Sequence, residues 1–392
     1  MSMCHRIVYK LKDPVWKPNY GPEKFQPSWG ASMVGARNFL LAYNINMLST
    51  KEQAHRIALD LREAGRGDGK PGKFKALQGI GWWLEEHNIA QISFNLTDQD
   101  VTSLHAVYEE SVRIAKELKL SVVGSELVGL VPLSALLTAA NFYIEKENLF
   151  VLDEEQKVRL AIERLGLNSL YQFDPKERII EWKVRQTDPP RPLLDASVAR
   201  FIDNVKSRSP APGGGSVAAL VGALGASLGS MVGLLTFGKR QWEHLDDQMR
   251  QLIKPLYEAA EEIQPMIEAD TVAFDLYVEA IRKTKSGSSI EAQAALWNAI
   301  NVPLGLAKKL HGLWPVLEEL FPLGNPNCLS DIQVGVKCIE TGIWGARCNV
   351  LINCQSLENE LQRKLIIEEI EELWKNAQDT TAKILKTDVQ EQ

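Results

Sequence analysis

At 392 residues, with 45% hydrophobic and 24% charged residues, the chain has room for two or three domains that each bury a core. A formal charge of -6 gives no reason to expect a nucleic-acid partner. The five cysteines (Cys4, Cys328, Cys338, Cys348, Cys354) show no paired CxxC spacing, and MSMCHRIVYKLKDP lacks the apolar core of a signal peptide, so a reducing cytoplasm is expected.

In chain order, FLLAYNINML (Phe39 to Leu48), AQISFNL (Ala90 to Leu96) and SVVGSEL (Ser121 to Leu127) read as strands by composition and length. Thr50 and Gln53 form a capping-box start for a helix through about Glu63, and a second helical pattern covers about Asp100 to Leu118. Helical period returns from Asp153 to about Leu165, and IIEWKV (Ile179 to Val184) reads as a last strand. RQTDPPRP, residues 185-192, carries three prolines and mixed charge and reads as a linker. Beyond it the period is helical from about Leu194 to Leu385, broken at the glycine loop, at KTKSGSS (Lys283 to Ser289) and at FPLGNPN (Phe321 to Asn327). The expected fold class is an α+β N-terminal subdomain followed by an all-α helical-bundle domain.

The stretch SPAPGGGSVAALVGALGASLGSMVGLLTFGKRQW, from Ser209 to Trp242, stands apart. Gly213, Gly214 and Gly215, with Ser216 as the expected N-cap, lead into a helix whose first N–H groups are unpaired and carry the positive end of the helix dipole. Such a start suits an anionic or polar ligand, or it is a flexible turn. Ala218, Gly222, Gly225, Gly229 and Gly233 then fall within an arc of about 80° at helical spacing. This stripe of near-absent side chains admits very close helix packing, in a bundle or in a homodimer seam. The uncharged run Val217 to Phe237 has the length of a membrane span, yet eleven of its residues are Gly, Ala, Ser or Thr, so a buried central helix is expected and no membrane span.

Further on, Leu256, Ala260, Ile263, Ile267, Asp270, Phe274, Tyr277 and Ile281 recur at alternating spacings of four and three. Asp270 is the one charge on that stripe. A carboxylate facing a core costs free energy unless paired, so Asp270 is either half of a structural ion pair with a facing lysine or arginine, or a proton-transfer group with a displaced pKa. Pro265, off the stripe, is expected to kink the helix one turn earlier. The six histidines are scattered without an HxxxH pair; His55, His87, His105 and His311 read as surface or packing residues. No P-loop or dinucleotide fingerprint occurs, so neither metal nor nucleotide chemistry is indicated.

The phrases SRSPAPGGGSVAALVGALGASLGSMVGLLTFGKRQ and MIEADTVAF, with GPEKFQPSWGA, GARNFLLAYNIN, LQGIGWWLEE and VVGSELVGLVP upstream, closely resemble the formimidoyltransferase-cyclodeaminase family from about Trp16 onward. The resemblance implies a cytoplasmic, bifunctional folate enzyme of histidine breakdown, in a family also associated with Golgi membranes and the cytoskeleton. One part moves a formimino group from formiminoglutamate to tetrahydrofolate; the cyclodeaminase then closes it to methenyltetrahydrofolate and releases ammonia. Residues 16-184 correspond to the second transferase subdomain and residues 193-392 to the cyclodeaminase, behind an unmatched leader at 1-15.

By the same resemblance Asp270 is the catalytic residue of the cyclodeaminase. Folate contacts fall on Gly21, Pro22, Glu23, Lys24, Phe25, Gln26, Pro27, Ser28, Trp29 and Gly30, and on Gly213, Gly214, Gly215 and Ser216. Tetrahydrofolate, in polyglutamylated form, is the implied carrier, and a dimer-based homo-oligomer the implied assembly. The family's catalytic histidine lies in its first transferase subdomain and is expected to have no counterpart here; His5 matches no family motif, so transferase activity is not expected of this chain. The alternative from another class is a non-catalytic protein that binds folate or modulates oligomers of the complete enzyme.

Overall fold

The computed structural model describes residues 11, 13–28, 30, 32, 34–67, 69–185, 192–283 and 290–387. The chain forms two compact units, Met1–Leu149 with Glu154–Gln186, and Phe150–Asp153 with Thr187–Gln392. Most of the expected linker, 186–191, and the first ten residues, with Cys4 and His5, lie outside the described set.

In the first unit Leu41–Leu48 (β1), Leu77–Leu84 (β2), Ile89–Leu96 (β3) and Ser121–Val128 (β4) make an antiparallel sheet in the order β2-β3-β1-β4. Alternation along β1 sends Leu41, Tyr43, Ile45 and Met47 to one buried face, opposite Leu96, Phe94, Ile92 and Ala90 of β3. The helices Lys51–Leu61 (α1) and Leu104–Glu117 (α2) pack on the sheet, and Leu133–Glu147 (α3) and Glu154–Leu165 (α4) pack on each other. The capping box expected at Thr50 and Gln53 is formed, with Thr50 Oγ1 accepting the Gln53 N–H at 3.3 Å and Gln53 Oε1 the Thr50 N–H at 3.1 Å.

Two expectations for this unit are corrected. Residues 179–184 form no strand beyond a single bridge from Ile179 to Val131; Pro175–Arg178 (α5) and Ile180–Arg185 (α6) are short helices. Asp174 caps α5, Glu181 accepts the Leu133 N–H at 2.6 Å, and Trp182 donates to Glu154 at 3.0 Å, so side-chain bonds of a helical geometry hold the segment. Conversely β2 was not expected. Its glycines let α1 lie directly on it: a Cβ on Gly81 would fall 2.1 Å from the His55 backbone nitrogen.

The second unit is helical among its described residues: Val198–Val205 (α7), Gly214–Thr236 (α8), Asp246–Lys283 (α9), Ile290–His311 (α10), Trp314–Leu323 (α11), Leu329–Cys354 (α12) and Glu360–Thr387 (α13). Residues 284–289 of the expected break lie outside the described set; the break at 321–327 begins at Gly324, and α9 runs on through Pro255 and Pro265. Helix α8 is the axis of the bundle. Its mean hydropathy of 1.9 and its length would suffice to cross a membrane, but its stripe of Ala218, Gly222, Gly225, Gly229 and Gly233 is buried against this chain's own helices. A Cβ on Gly229 would come within 3.2 Å of Leu256 and of Leu317, and one on Gly233 within 2.5 Å of Ile253. The close seam lies within the chain rather than between copies.

Candidate active site

Helices α8 and α9 run antiparallel, since Gly233 meets Ile253 while Gly215 meets Asp270. The start of α8 thereby lies on α9 one turn beyond Ile267. Gly213, not Ser216, is the N-cap of α8. Ser216 sits inside the first turn, fully buried, because its hydroxyl has a stronger use across the helix pair: it donates to the Ile267 carbonyl at 2.8 Å. The same oxygen lies 3.1 Å from Thr271 Oγ1 and 3.4 Å from Asp270 Oδ2, and the Ser216 backbone N–H is directed toward the Asp270 carboxyl group and favours its ionised form.

Gly215 makes this approach feasible, for a Cβ there would lie 2.0 Å from Asp270 Oδ1 and 2.4 Å from Cγ. On the α9 stripe, Leu256, Ala260, Ile263 and Ile267 are buried and Phe274 and Tyr277 half-buried. Ile281 is exposed, contrary to expectation, because α9 outruns the start of α8 that covers it. Burial pushes the Asp270 carboxyl above its ordinary pKa, and the two Ser216 donors pull it down less than burial raises it. Among the described residues no lysine or arginine pairs with Asp270, so the structural ion pair is not formed.

Two neighbours of the site had not been singled out in the sequence. Thr271 lies one turn beyond Ile267 on α9, a signal readable from the period. Asn349 of α12, whose Nδ2 would lie 3.6 Å from a Cβ on Gly214, has no comparable signal, since its place depends on the α8–α12 crossing. Beside the same turn of α8 runs an apolar groove of about 610 Å³, lined by Leu193, Phe201, Ile202, Val217, Leu220 and Ile267. Glu268 Oε1 anchors its rim by accepting the N–H groups of Leu193 and Leu194 at 2.5 and 3.0 Å.

The described residues of the segment Gly21 to Gly30 belong to the first unit and form neither helix nor strand. Gly21, Pro22, Glu23, Lys24, Pro27 and Ser28 are exposed, Phe25, Gln26 and Gly30 half-buried, and Trp29 lies outside the described residues. Gly30 takes a left-handed φ of 68° and bonds back to the Gln26 carbonyl at 2.7 Å, while Glu23 pairs with Lys17 at 2.7 Å. The Asp270 cluster is built wholly from the second unit. Among the described residues no group of three His, Cys, Asp or Glu side chains could hold a metal ion.

The chain is an α+β unit joined to a helical bundle, with a desolvated carboxyl group set on a glycine-lined helix start as its candidate acid–base site. Residues 42–185 match the Formiminotransferase domain family and residues 197–372 the Formiminotransferase-cyclodeaminase family. The chain is 53% identical to formimidoyltransferase-cyclodeaminase of Rattus norvegicus over 382 residues, covering 96% of this chain and 71% of the rat protein. It is 36% identical to glutamate formimidoyltransferase of Streptococcus pyogenes over 140 residues, 36% of this chain and 45% of that protein. A methenyltetrahydrofolate cyclohydrolase of Methylorubrum extorquens is 29% identical over 197 residues, 49% of this chain and 95% of that protein. The chain belongs to the formimidoyltransferase-cyclodeaminase family.

Proposed function

We propose that the helical unit closes formiminotetrahydrofolate to methenyltetrahydrofolate and releases ammonia, with Asp270 as the acid. The observation that carries this assignment is a carboxyl group raised in pKa by burial, without a counter-ion among the described residues, against the glycines of a helix start. In the reaction the folate N10 attacks the formimino carbon on N5 while its proton passes to the imino nitrogen, which forms a tetrahedral carbon bearing an amino group. Protonated Asp270 gives its proton to that amino nitrogen, the C–N bond breaks, and ammonia departs with the bonding pair. A carboxyl group whose pKa is raised by burial keeps its proton to higher pH than one at its ordinary pKa and is the better suited to this donation.

Gly213, Gly214, Gly215 and Ser216 are proposed to position tetrahydrofolate, and the groove at Phe201 and Val217 to receive its flat aromatic part. The groove's apolar lining and its shared residue Ile267 support this placement. The α/β unit is the formimidoyltransferase part of the family, and its segment from Gly21 to Gly30 is proposed as a folate contact. A polyglutamyl tail on the carrier and a cytoplasmic location extend the same proposal; the four described cysteines, all free, are compatible with a reducing compartment.

A homo-oligomer is also proposed. Its support is the outer side of α8 and α12, where Leu224, Leu234, Leu235, Val334 and Trp344 are exposed. The test of the catalytic proposal is ammonia release from chemically prepared formiminotetrahydrofolate by the purified chain, with Asp270→Asn as control. Turnover in the wild type that vanishes in the variant is expected; no ammonia from either would overturn it.

A further inference from the structure

The Ser216 hydroxyl has one proton and three oxygens in reach, at Ile267, Thr271 and Asp270. Water does not reach it, since Ser216 is fully buried. The Ile267 carbonyl lies inside α9, where the helix supplies an N–H donor of its own, so the hydroxyl can leave that acceptor at small cost. The carboxyl group is held on one side by Gly215, where a Cβ would fall 2.0 Å from Oδ1.

We propose that Ser216 is a positioning residue for Asp270, its hydroxyl donating to the Ile267 carbonyl while the carboxyl group carries its proton and turning to Oδ2 once that proton has left. The role rests on Asp270 being the acid of the reaction. In the first state the protonated carboxyl can donate to Ser216 Oγ; in the second the hydroxyl and the N–H both donate to the carboxylate. One side chain thus serves both charge states. Thr271 Oγ1, at 3.1 Å, supplies the remaining partner of the hydroxyl in either state.

Among the described residues no charged side chain shifts the Asp270 carboxyl group. Helix α8 has no charged residue. On α9, Glu268 is bound to the Leu193 and Leu194 N–H groups and Asp275 is exposed. On α12, Asn349 is neutral and Arg347 is turned to Glu371 at 2.7 Å. Burial and the Ser216 donors therefore govern the titration of this carboxyl among the described residues.

The experiment compares wild type, Ser216→Ala, Ser216→Cys and Asp270→Asn as full chains. Ammonia release is followed against pH, and the Asp270 carboxyl is titrated by infrared difference against Asp270→Asn. Loss of a donor to the ionised form should raise the apparent pKa in Ser216→Ala by about one unit and lower kcat by about tenfold, with Ser216→Cys, a weaker donor of similar size, in between. A folded Ser216→Ala with an unmoved pH limb and an unmoved infrared titration would overturn the proposal. Should Ser216→Ala not fold, the same null result in Ser216→Cys would overturn it. Undiminished turnover in Asp270→Asn would remove the acid itself and the positioning role with it; the infrared titration, read without turnover, tells that outcome from a failure of Ser216 to act on the carboxyl group.

Discussion

Gly225 of α8 and Gly335 of α12 face each other backbone to backbone: a Cβ on Gly225 would fall 2.8 Å from the Gly335 carbonyl oxygen, and one on Gly335 would fall 3.2 Å from the Gly225 carbonyl oxygen. Neither side can yield by turning a side chain. Gly225→Ala is therefore expected to destabilise the helical unit by about 1–3 kcal/mol, the usual range for overpacking. Leu224→Ala, at the neighbouring exposed position, should change stability by less than about 0.5 kcal/mol. Urea unfolding of both variants checks the pair, and equal stabilities would show that the helices do not meet there.

For Asp270→Asn two quantities should part company. Turnover is expected to fall by about a hundredfold or more, the scale of a lost general acid. Stability follows the opposite course. The folded-state pKa of Asp270 is raised, so its stabilising contribution is full below the ordinary carboxylate range and is lost as pH rises through the folded value. Above the folded-state pKa the asparagine removes a desolvated charge, and the variant should be as stable as wild type or more so, the gap closing toward acid pH. Thermal midpoints at pH 7 and pH 4 decide the matter; a large loss at pH 7 would point to a stranded partner charge instead.

Gly215→Ala is expected to lower turnover by at least about tenfold, because a carboxyl group displaced by even 1 Å loses its alignment. The check is kcat for ammonia release in a variant whose circular dichroism matches wild type. Unchanged kcat would mean that Asp270 need not lie against α8 during the reaction.

In the first unit, Glu110 is almost buried between Lys73 at 2.7 Å and Arg113 at 2.7 Å, which hold its pKa down to about 2. A depressed carboxylate stabilises above its ordinary pKa and loses that contribution as pH falls toward about 2. Glu110→Gln should cost the unit about 2 kcal/mol at pH 7, a figure reduced because Lys73 and Arg113 are half exposed. Urea unfolding at pH 7 and at pH 2.5 should show the difference between variant and wild type shrinking at the lower pH. A constant difference would assign the loss to packing.

The oligomer predicted from the exposed leucines of α8 has its own check. Sedimentation at micromolar concentration should give a species heavier than one chain, and Leu224→Asp with Leu235→Asp should return it to the monomer. A monomeric wild type would remove the oligomer.

Much of this was legible before the fold was known, and the failures are instructive. Asp270 stood out because helical period is a local property, and the glycine stripe for the same reason. The strand β2 was missed because Gly79, Gly81 and two tryptophans hide the alternation that its neighbours show plainly. Helix α3 escaped because its apolar stripe is diluted by Ala135, Ala139 and Ala140. Ser216 was assigned to a cap since its local setting favours one; its partner Ile267, 51 residues away, is fixed only when two helices cross. The nature of Asp270's partner was unreadable for the same reason, as hydroxyl and cation look alike until the crossing point is known.

Helix α8 leaves the ribosome well before the partners that cover its stripe. Helix α9 follows directly, but α12, against which Gly225 and Ala218 pack, is complete only at Cys354. At the usual pace of synthesis that delay is on the order of ten seconds. For that interval the cell holds a nascent helix with the hydropathy of a membrane span and half of its cover missing. The order of synthesis thus leaves the glycine stripe without its α12 cover until the last third of the chain is being made.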